Sequence, residues 1–380
     1  MDASVNRIPI SENEKTILIG IHLPNDNEEE VFHSLDELRQ LVITAGAVVV
    51  SKLVVKRISL DPAYIIGSGK LEEIKKIVLE QSIKLVVFDL NIIRPVQIRN
   101  LENFLGCRVI GRTEVILDIF ARRAKTVESK IQVELAQLNY ILPRLKGLGG
   151  VLSRLGGGIG TRGPGEKMLE TDRRHIVKRI QTLKKKLSHI SMHRNVQRQE
   201  RLQNEIIGAV VGYTNAGKST LVNMLAKDDL FVEDRLFATL DAYTRIVYLD
   251  ECHKVLLTDT VGFINNLPSH LVESFKSTLE EIKYSDFIIH VVGLDIDIEK
   301  AIKVVNHELQ LLDCSNKPVI LYFNKLDIAK EETIQYVHLR FPDAILGSSL
   351  TGQGIQLLKE RIIEITETLD KHKQNISVYS

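Results

Sequence analysis

Residues 212–220 of this 380-residue chain read GYTNAGKST, directly after the apolar run Ile206-Ile207-Gly208-Ala209-Val210-Val211. Gly212 and Gly217 are separated by four residues, Tyr213, Thr214, Asn215 and Ala216, and Lys218 and Ser219 follow at once. The apolar run reads as a buried strand and KSTLVNMLA as a helix, so the glycines fall in the turn between them. Successive backbone N–H groups in such a turn point inward, and the helix offers its positive end; together they hold a phosphate. A strand–turn–helix unit of this kind requires a mainly parallel sheet with helices packed on it. In this frame Lys218 reaches the β- and γ-phosphates of a nucleotide, and Ser219 gives its hydroxyl to Mg2+.

The segments that follow extend the same chemistry. After the strand KVLLTD comes DTVGF, made of Asp259, Thr260, Val261, Gly262 and Phe263. Asp259 at a strand end can hold Mg2+ through water, and the Gly262 N–H can sense a γ-phosphate, as in a switch loop. LYFNKLD contains Asn324, Lys325, Leu326 and Asp327 in the order Asn-Lys-x-Asp. A carboxylate at Asp327 can accept from both N1–H and the 2-amino group of guanine, a donor pair that adenine lacks; Lys325 can lie along the ring. The nucleotide is therefore expected to be GTP or GDP. LFATLDAYTR supplies Phe237, Ala238, Thr239, Leu240 and Asp241, with Thr239 and Thr244 both able to complete the Mg2+ shell. Ser348, Ser349 and Leu350 are placed to close over the base with backbone amides.

The rest of the chain divides by pattern. Residues 1–116 alternate three strands (TILIGIHL, AVVVSKLVV, IKLVVFDL) with helices and read as a small α/β domain. IIGSGKLEE resembles a second phosphate loop, but Tyr64 stands where the first glycine is needed and Leu71 follows Lys70; it reads as a tight turn opening a helix. Residues 117–205 lose the strand signals. Ile131, Leu135, Leu138 and Leu142, then Ile176, Ile180, Leu183, Leu187 and Ile190, recur at helical spacing and predict a coiled-coil-like helical hairpin. Between its arms lies GLGGVLSRLGGGIGTRGPGE, residues 147–166, with nine glycines and with Arg154 and Arg162. Residues 206–368 form the nucleotide-binding domain, and 369–380 a short tail.

The net charge is only +1, yet residues 121–205 hold 19 Lys and Arg against 7 Asp and Glu. A segment so unbalanced suits a polyphosphate such as RNA. Tyr140 is its one aromatic residue, which favours recognition of shape over stacking on bases. Charge alone leaves a merely solvated coiled coil equally open. Cys107, Cys252 and Cys314 are scattered and odd in number, so buried free thiols are expected rather than disulfides or zinc. The N-terminus has no signal-peptide pattern. The longest apolar stretch, residues 41–50, falls short of the roughly 20 residues that span a bilayer. A cytoplasmic protein, expected to be monomeric, follows.

GGGIGTRGPGE, GYTNAGKSTL, LFATLD, DTVGFI and the N-terminal YIIGSGKLEEI, in this order, resemble the HflX family of GTPases over almost the whole chain. The resemblance implies an N-terminal α/β domain and helical hairpin joined to a Ras-like G domain. It implies binding to the large (50S) ribosomal subunit, with the glycine-rich tip near the peptidyl-transferase region of 23S rRNA. It also implies splitting of stalled or idle 70S ribosomes, notably under heat stress. It carries Mg2+ coordination to Ser219 and Thr239 rather than Thr244. The chain departs from the family pattern at Asp241-Ala242-Tyr243 for Asp-Pro-Thr and at Ser348-Ser349-Leu350 for Ser-Ala-Lys. It also reads GEKMLE for Gly-Glu-Thr-Gln-Leu-Glu, and from the short tail after residue 368 the C-terminal domain found in some relatives is expected to be missing.

Catalysis is expected to rest on Lys218, Thr239 and the Gly262 amide. Phe263 follows Gly262 where many GTPases place a glutamine that orients the attacking water. Slow intrinsic hydrolysis, completed by a partner that orders the switches, is the consequence. A GTP-dependent scaffold acting through a protein partner is the alternative from another class. The glycine-rich basic hairpin argues against it. No Cys- or carboxylate-based motif supports an RNA-modifying enzyme.

Overall fold

The computed structural model describes residues 9–145, 164–202, 205–227, 236–237, 239–265, 268, 271 and 276–377. The chain divides into two compact units, residues 1–188 with 268–274, and residues 189–267 with 275–380.

The first unit is built on a four-stranded parallel sheet in the order β2-β1-β3-β4. β1 spans Lys15–His22, β2 Val48–Lys56, β3 Leu85–Phe88 and β4 Arg108–Gly111. β3 is buried at all four positions, as a strand covered on both faces must be. Helix α1 (Glu28–Thr44) starts at Asn27, whose side chain accepts from Glu29 N, and carries three glutamates in its first turn, facing the positive end of the helix dipole. Helix α2 (Ser68–Glu80) opens at Gly67, and Lys70 turns to Glu73 at 2.5 Å. IIGSGKLEE is thus a turn opening a helix. Helix α3 (Pro95–Leu105) begins with proline and stops at Gly106, whose φ of +71° is a left-handed cap. Ile17, Ile19, Ile74, Val86, Phe88, Ile98 and Leu101 form the core beneath α2 and α3.

β4 and the helix α4 (Arg112–Arg123) that leaves it were not announced by the alternation. The strand is four residues long, and its last residue, Gly111, is also the first cap of the helix. Arg112 is fully buried between Glu37 at 2.5 Å and Asp89 at 3.0 Å, and so ties α4 to α1 and to the end of β3. Helix α5 (Val127–Leu145) contains Pro143 in its last turn, and helix α6 spans Pro164–Leu202. Ile131, Leu135, Leu138, Ile176, Ile180 and Leu183 are buried; Leu142, Leu187 and Ile190 are half-buried. Arg179 of α6 donates twice to Glu134 of α5, at 2.6 and 2.8 Å.

The second unit holds a six-stranded sheet in the order β10-β9-β8-β5-β7-β6, with β5 Ile207–Gly212, β6 Tyr243–Tyr248, β7 Lys254–Asp259, β8 Phe287–Gly293, β9 Val319–Asn324 and β10 Ile345–Leu346. All pairs are parallel except β6 with β7. Helices α7 (Lys218–Ala226), α8 (Lys276–Lys283), α9 (Ile298–Leu311), α10 (Glu331–Arg340) and α11 (Ile355–Ser377) complete it. One face of the sheet packs Val210, Phe287, Ile289, Val291 and Tyr322 against Leu221, Leu225, Leu358 and Ile362. The other packs Val292 and Phe323 against Ile298, Ala301 and Val337. β5 pairs with β7 on one side and β8 on the other, so the chain switches direction around its C-terminal end. In open parallel sheets that crevice is where ligands bind.

The three cysteines are free. Cys314 is buried and Cys107 half-buried, but Cys252 is exposed, against the expectation of buried thiols. It sits in the turn between β6 and β7, where the Asp250 carboxylate accepts from the amides of both Cys252 and His253. Among the described residues no helix is long and apolar enough to cross a membrane.

Candidate nucleotide site

The loop 212–217 leaves the end of β5 and enters α7 at the switch point of the sheet. Gly217 has a φ of +89°, and a Cβ there would collide with the Asn324 amide. Only glycine lets the loop turn into the helix so close to β9. Lys218 is buried, and its ammonium donates to the carbonyls of Gly212 at 3.1 Å and Tyr213 at 2.9 Å. Burial pushes its pKa down to about 8, against the pull of Asp259. The lysine therefore caps its own loop from inside, a short swing from the space the loop encloses.

Ser219, Thr239 and Asp259 come together although 40 residues separate the outer two. Ser219 Oγ donates to Asp259 Oδ2 at 2.6 Å, Thr239 Oγ1 to the same oxygen at 2.8 Å, and the two hydroxyls are 2.7 Å apart. Thr244 goes elsewhere: its hydroxyl meets that of Thr258 across the β6–β7 pair at 2.9 Å. Burial raises the Asp259 pKa, opposed by the Ser219 hydrogen bond, the Lys218 charge and the Thr239 hydrogen bond. Its Oδ1 has no hydrogen-bond partner among the described residues. Phe237, with a φ of +54°, is buried together with Leu240 and Asp241. Ala238 lies outside the described residues, as do Arg154 and Arg162.

The segment after β7 is laced to the phosphate loop. Thr214 N donates to Phe263 O at 2.7 Å, Phe263 N to Gly212 O at 3.1 Å, and Asn265 N to the Tyr213 phenol oxygen at 2.8 Å. Thr260 hydroxyl donates to Val210 O at 2.8 Å; Val261 and Phe263 are buried. Gly262 lies so close to the loop that an added Cβ would stand 2.9 Å from Thr214 Cα. Asn215 has a left-handed φ of +62° and Ala216 is buried at the middle of the loop.

On the other side of the loop Asn324 is the hub. Its amide donates to Ala216 O at 2.8 Å, and its Oδ1 accepts from Ser349 N at 2.8 Å and Ser349 Oγ at 2.9 Å. Lys325 pairs with Asp295 at 2.7 Å, and Leu326 N donates to Gly347 O at 3.0 Å. The Asp327 carboxylate is exposed and has no hydrogen-bond or ion-pair partner among the described residues. The amides expected to close over a base are engaged within the protein: Ser348 N with Gln353 O at 2.9 Å, Ser349 N with Asn324, and Leu350 N with Ser348 Oγ at 3.3 Å. Leu350 itself is exposed. Sequence reading missed Asp295, Tyr213's tie to Asn265 and the role of Asn324 as a brace, none of which has a signature of local spacing.

Chemically the site offers a cradle of amides and a lysine for phosphates, a free carboxylate for a base, and one carboxylate with two hydroxyls for a hard cation. Among the described residues no group of three or more His, Cys, Asp or Glu could hold a metal by itself. The oxygen set fits Mg2+ that arrives with nucleotide phosphates, and the unpartnered buried Asp259 Oδ1 is an acceptor of that kind.

Three protein-family models match the chain in succession. They are described as the N-terminal region of a GTP-binding GTPase over residues 32–121, its middle region over 123–201, and a 50S ribosome-binding GTPase over 208–325. The chain is 51% identical over 319 residues to the GTPase HflX of Caldanaerobacter subterraneus subsp. tengcongensis, covering 83% of this chain and 73% of that protein. It is 48% identical over 363 residues to the GTPase HflX of Lacrimispora saccharolytica, covering 95% and 84%. It is 39% identical over 355 residues to that of Escherichia coli, covering 92% and 82%. Among solved structures, the crystal structure of the SsGBP and GDP complex matches with a TM-score of 0.52 and 24% identity, covering 94% of this chain and 99% of that one. That likeness speaks for the fold.

Proposed function

Since the chain belongs to the HflX family of GTPases, we propose that it binds the large ribosomal subunit in the cytoplasm and couples its GTP cycle to the splitting of stalled or idle 70S ribosomes under stress. The observation that carries this reading is the order of segments. A GTPase region whose family is described as 50S ribosome-binding follows a middle region in which residues 121–205 hold 19 basic against 7 acidic side chains. We assign three working segments, residues 1–116, 117–205 and 206–368, with a tail at 369–380, in a monomer.

In this reading the loop amides of residues 212–217 hold the phosphates, and Lys218 leaves its loop carbonyls to meet the terminal two. Ser219 and Thr239 hold Mg2+, with Asp259 behind them. The ion would supply charge neutralisation on the phosphates. Asp327 reads guanine, while Asn324 fixes the distance between base and phosphate loop. Gly262 N–H meets the γ-phosphate, and Phe263 keeps hydrolysis slow until the ribosomal subunit orders the switches. The basic hairpin, with Arg154 and Arg162, engages rRNA.

GTP turnover measured with and without purified large subunits, at one fixed salt concentration because phosphate contacts are salt-dependent, tests the reading. Strong stimulation is expected. Equal rates with and without the subunit would overturn it.

A further inference from the structure

GTP hydrolysis needs a polar group to orient the attacking water. Phe263 carries none, and its side chain is only 3% exposed. Its backbone, however, is hydrogen-bonded on both sides to the phosphate loop, through Phe263 N to Gly212 O and Thr214 N to Phe263 O. Thr214 is thereby clamped against the segment that carries Gly262.

Thr214 is 4% exposed, and its Oγ1 is buried with no hydrogen-bond partner among the described residues. Buried hydroxyls are nearly always partnered, because an orphan loses its hydration for nothing. Position matters as much. A Cβ built on Gly262 would stand 2.9 Å from Thr214 Cγ2 and 3.0 Å from Lys218 Nζ. The Thr214 methyl, the Gly262 backbone and the Lys218 ammonium thus converge on one point, and the orphan hydroxyl branches from the same Thr214 Cβ as that methyl.

We propose that Thr214 is a catalytic residue, its hydroxyl contacting the terminal phosphate and the attacking water in place of the side-chain amide that position 263 lacks. This rests on reading Gly262 and Lys218 as the γ-phosphate contacts. A hydroxyl can donate and accept at once. It donates to a γ-phosphate oxygen and accepts from the water. The water oxygen forms its bond to the γ-phosphorus as the bond to the β–γ bridging oxygen breaks. GDP leaves with that oxygen's electron pair, and the water proton passes to the released phosphate. Thr214 ends with the proton it began with.

Thr214→Val keeps the shape, the β-branch and the backbone N–H, and removes only the hydroxyl; Thr214→Ser restores it. Three quantities decide: GDP affinity, the thermal midpoint without nucleotide, and the single-turnover rate of GTP hydrolysis with and without large subunits. The valine variant is expected to bind GDP as the parent does and to melt no lower, since it loses an unpartnered buried hydroxyl. Its hydrolysis should fall about tenfold or more under both conditions, with the serine variant recovering most of the rate. Parent-like hydrolysis in the valine variant would overturn the proposal. So would GDP affinity falling in step with the rate, which would make the hydroxyl a ground-state binding group, or equal loss in the serine variant. Failure of large subunits to stimulate the parent would sink the ribosomal reading alone, because the unstimulated rates still decide on Thr214.

Discussion

The Asn324 amide donates to the carbonyl of Ala216 at 2.8 Å, across 108 residues of chain, and both groups are buried. One side chain therefore sets the distance between the strand end that precedes the base-reading carboxylate and the middle of the phosphate loop. It also accepts from the Ser349 amide and hydroxyl. Asn324→Ala leaves the Ala216 carbonyl and both Ser349 donors unpartnered in the interior. Unsatisfied buried groups cost about 1–3 kcal/mol each, so a loss on the order of 3 kcal/mol in urea unfolding of nucleotide-free protein is expected, together with loss of GDP binding. A variant with parent stability and reduced GDP binding would show that Asn324 acts on the nucleotide and not as a brace.

Asp327 differs from its neighbour in being exposed and without a partner among the described residues. Its replacement should therefore touch specificity and spare the fold. Asp327→Asn removes the acceptor for the 2-amino group of guanine but offers a donor to the 2-carbonyl of xanthine. A site built to hydrogen-bond a group discriminates strongly against its loss. GTP affinity is expected to fall roughly a hundredfold, about 2.7 kcal/mol, and xanthosine triphosphate to bind in its place, with unchanged thermal midpoint. Nucleotide titrations of both proteins check this, and equal preference for GTP in the variant would contradict the assignment of the base site.

Much of this site was legible in the sequence because its chemistry depends on local spacing. Gly212 to Ser219 are eight consecutive residues running from a strand end through one loop into a helix, and Asn324 to Asp327 are four consecutive residues at and just past the end of β9. The choice between Thr239 and Thr244 was not open to spacing, since both lie within reach of a switch; the resemblance chose Thr239, and the structure brings it to Ser219 and Asp259. Strand β4 was illegible for a different reason. Four residues between the cap of one helix and the start of the next carry too little alternation to register as a strand. The inward fold of Lys218, the brace at Asn324 and the orphan hydroxyl of Thr214 are tertiary facts, made by segments that meet only when the sheet assembles.

The cluster of Ser219, Thr239 and Asp259 predicts a metal dependence with a residue-specific signature. Removing divalent cations with EDTA should lower the GTP affinity of the parent by roughly tenfold or more, about 1.4 kcal/mol or above. Ser219→Ala should begin at that lower affinity and respond little to EDTA. Thr244→Ala, whose hydroxyl pairs with Thr258 instead, should respond as the parent does. Measurement of labelled GTP binding in Mg2+ and in EDTA for the three proteins separates them. An EDTA response in Ser219→Ala equal to that of the parent would remove Ser219 from the metal shell.

His290 links the site to acid stability. It lies on β8 opposite Val211, is 2% exposed, and its Nε2 has no hydrogen-bond partner among the described residues. Burial, reinforced by the Lys218 charge, pushes its pKa from the ordinary 6.5 down to about 3. Between those values the unfolded chain takes up a proton that the folded chain refuses. Stability linked to this residue is therefore full above pH 6.5 and falls as the pH drops toward 3, by about 1.4 kcal/mol for each pH unit. His290→Leu removes the titrating group and the orphan nitrogen together. Urea unfolding at pH 7.5, 6.5 and 5.5 should show the parent losing ground to the variant, with a gap that widens by about 1 kcal/mol between the last two. A gap independent of pH would mean that His290 titrates in the folded protein as it does in the unfolded chain, so that burial does not exclude its proton.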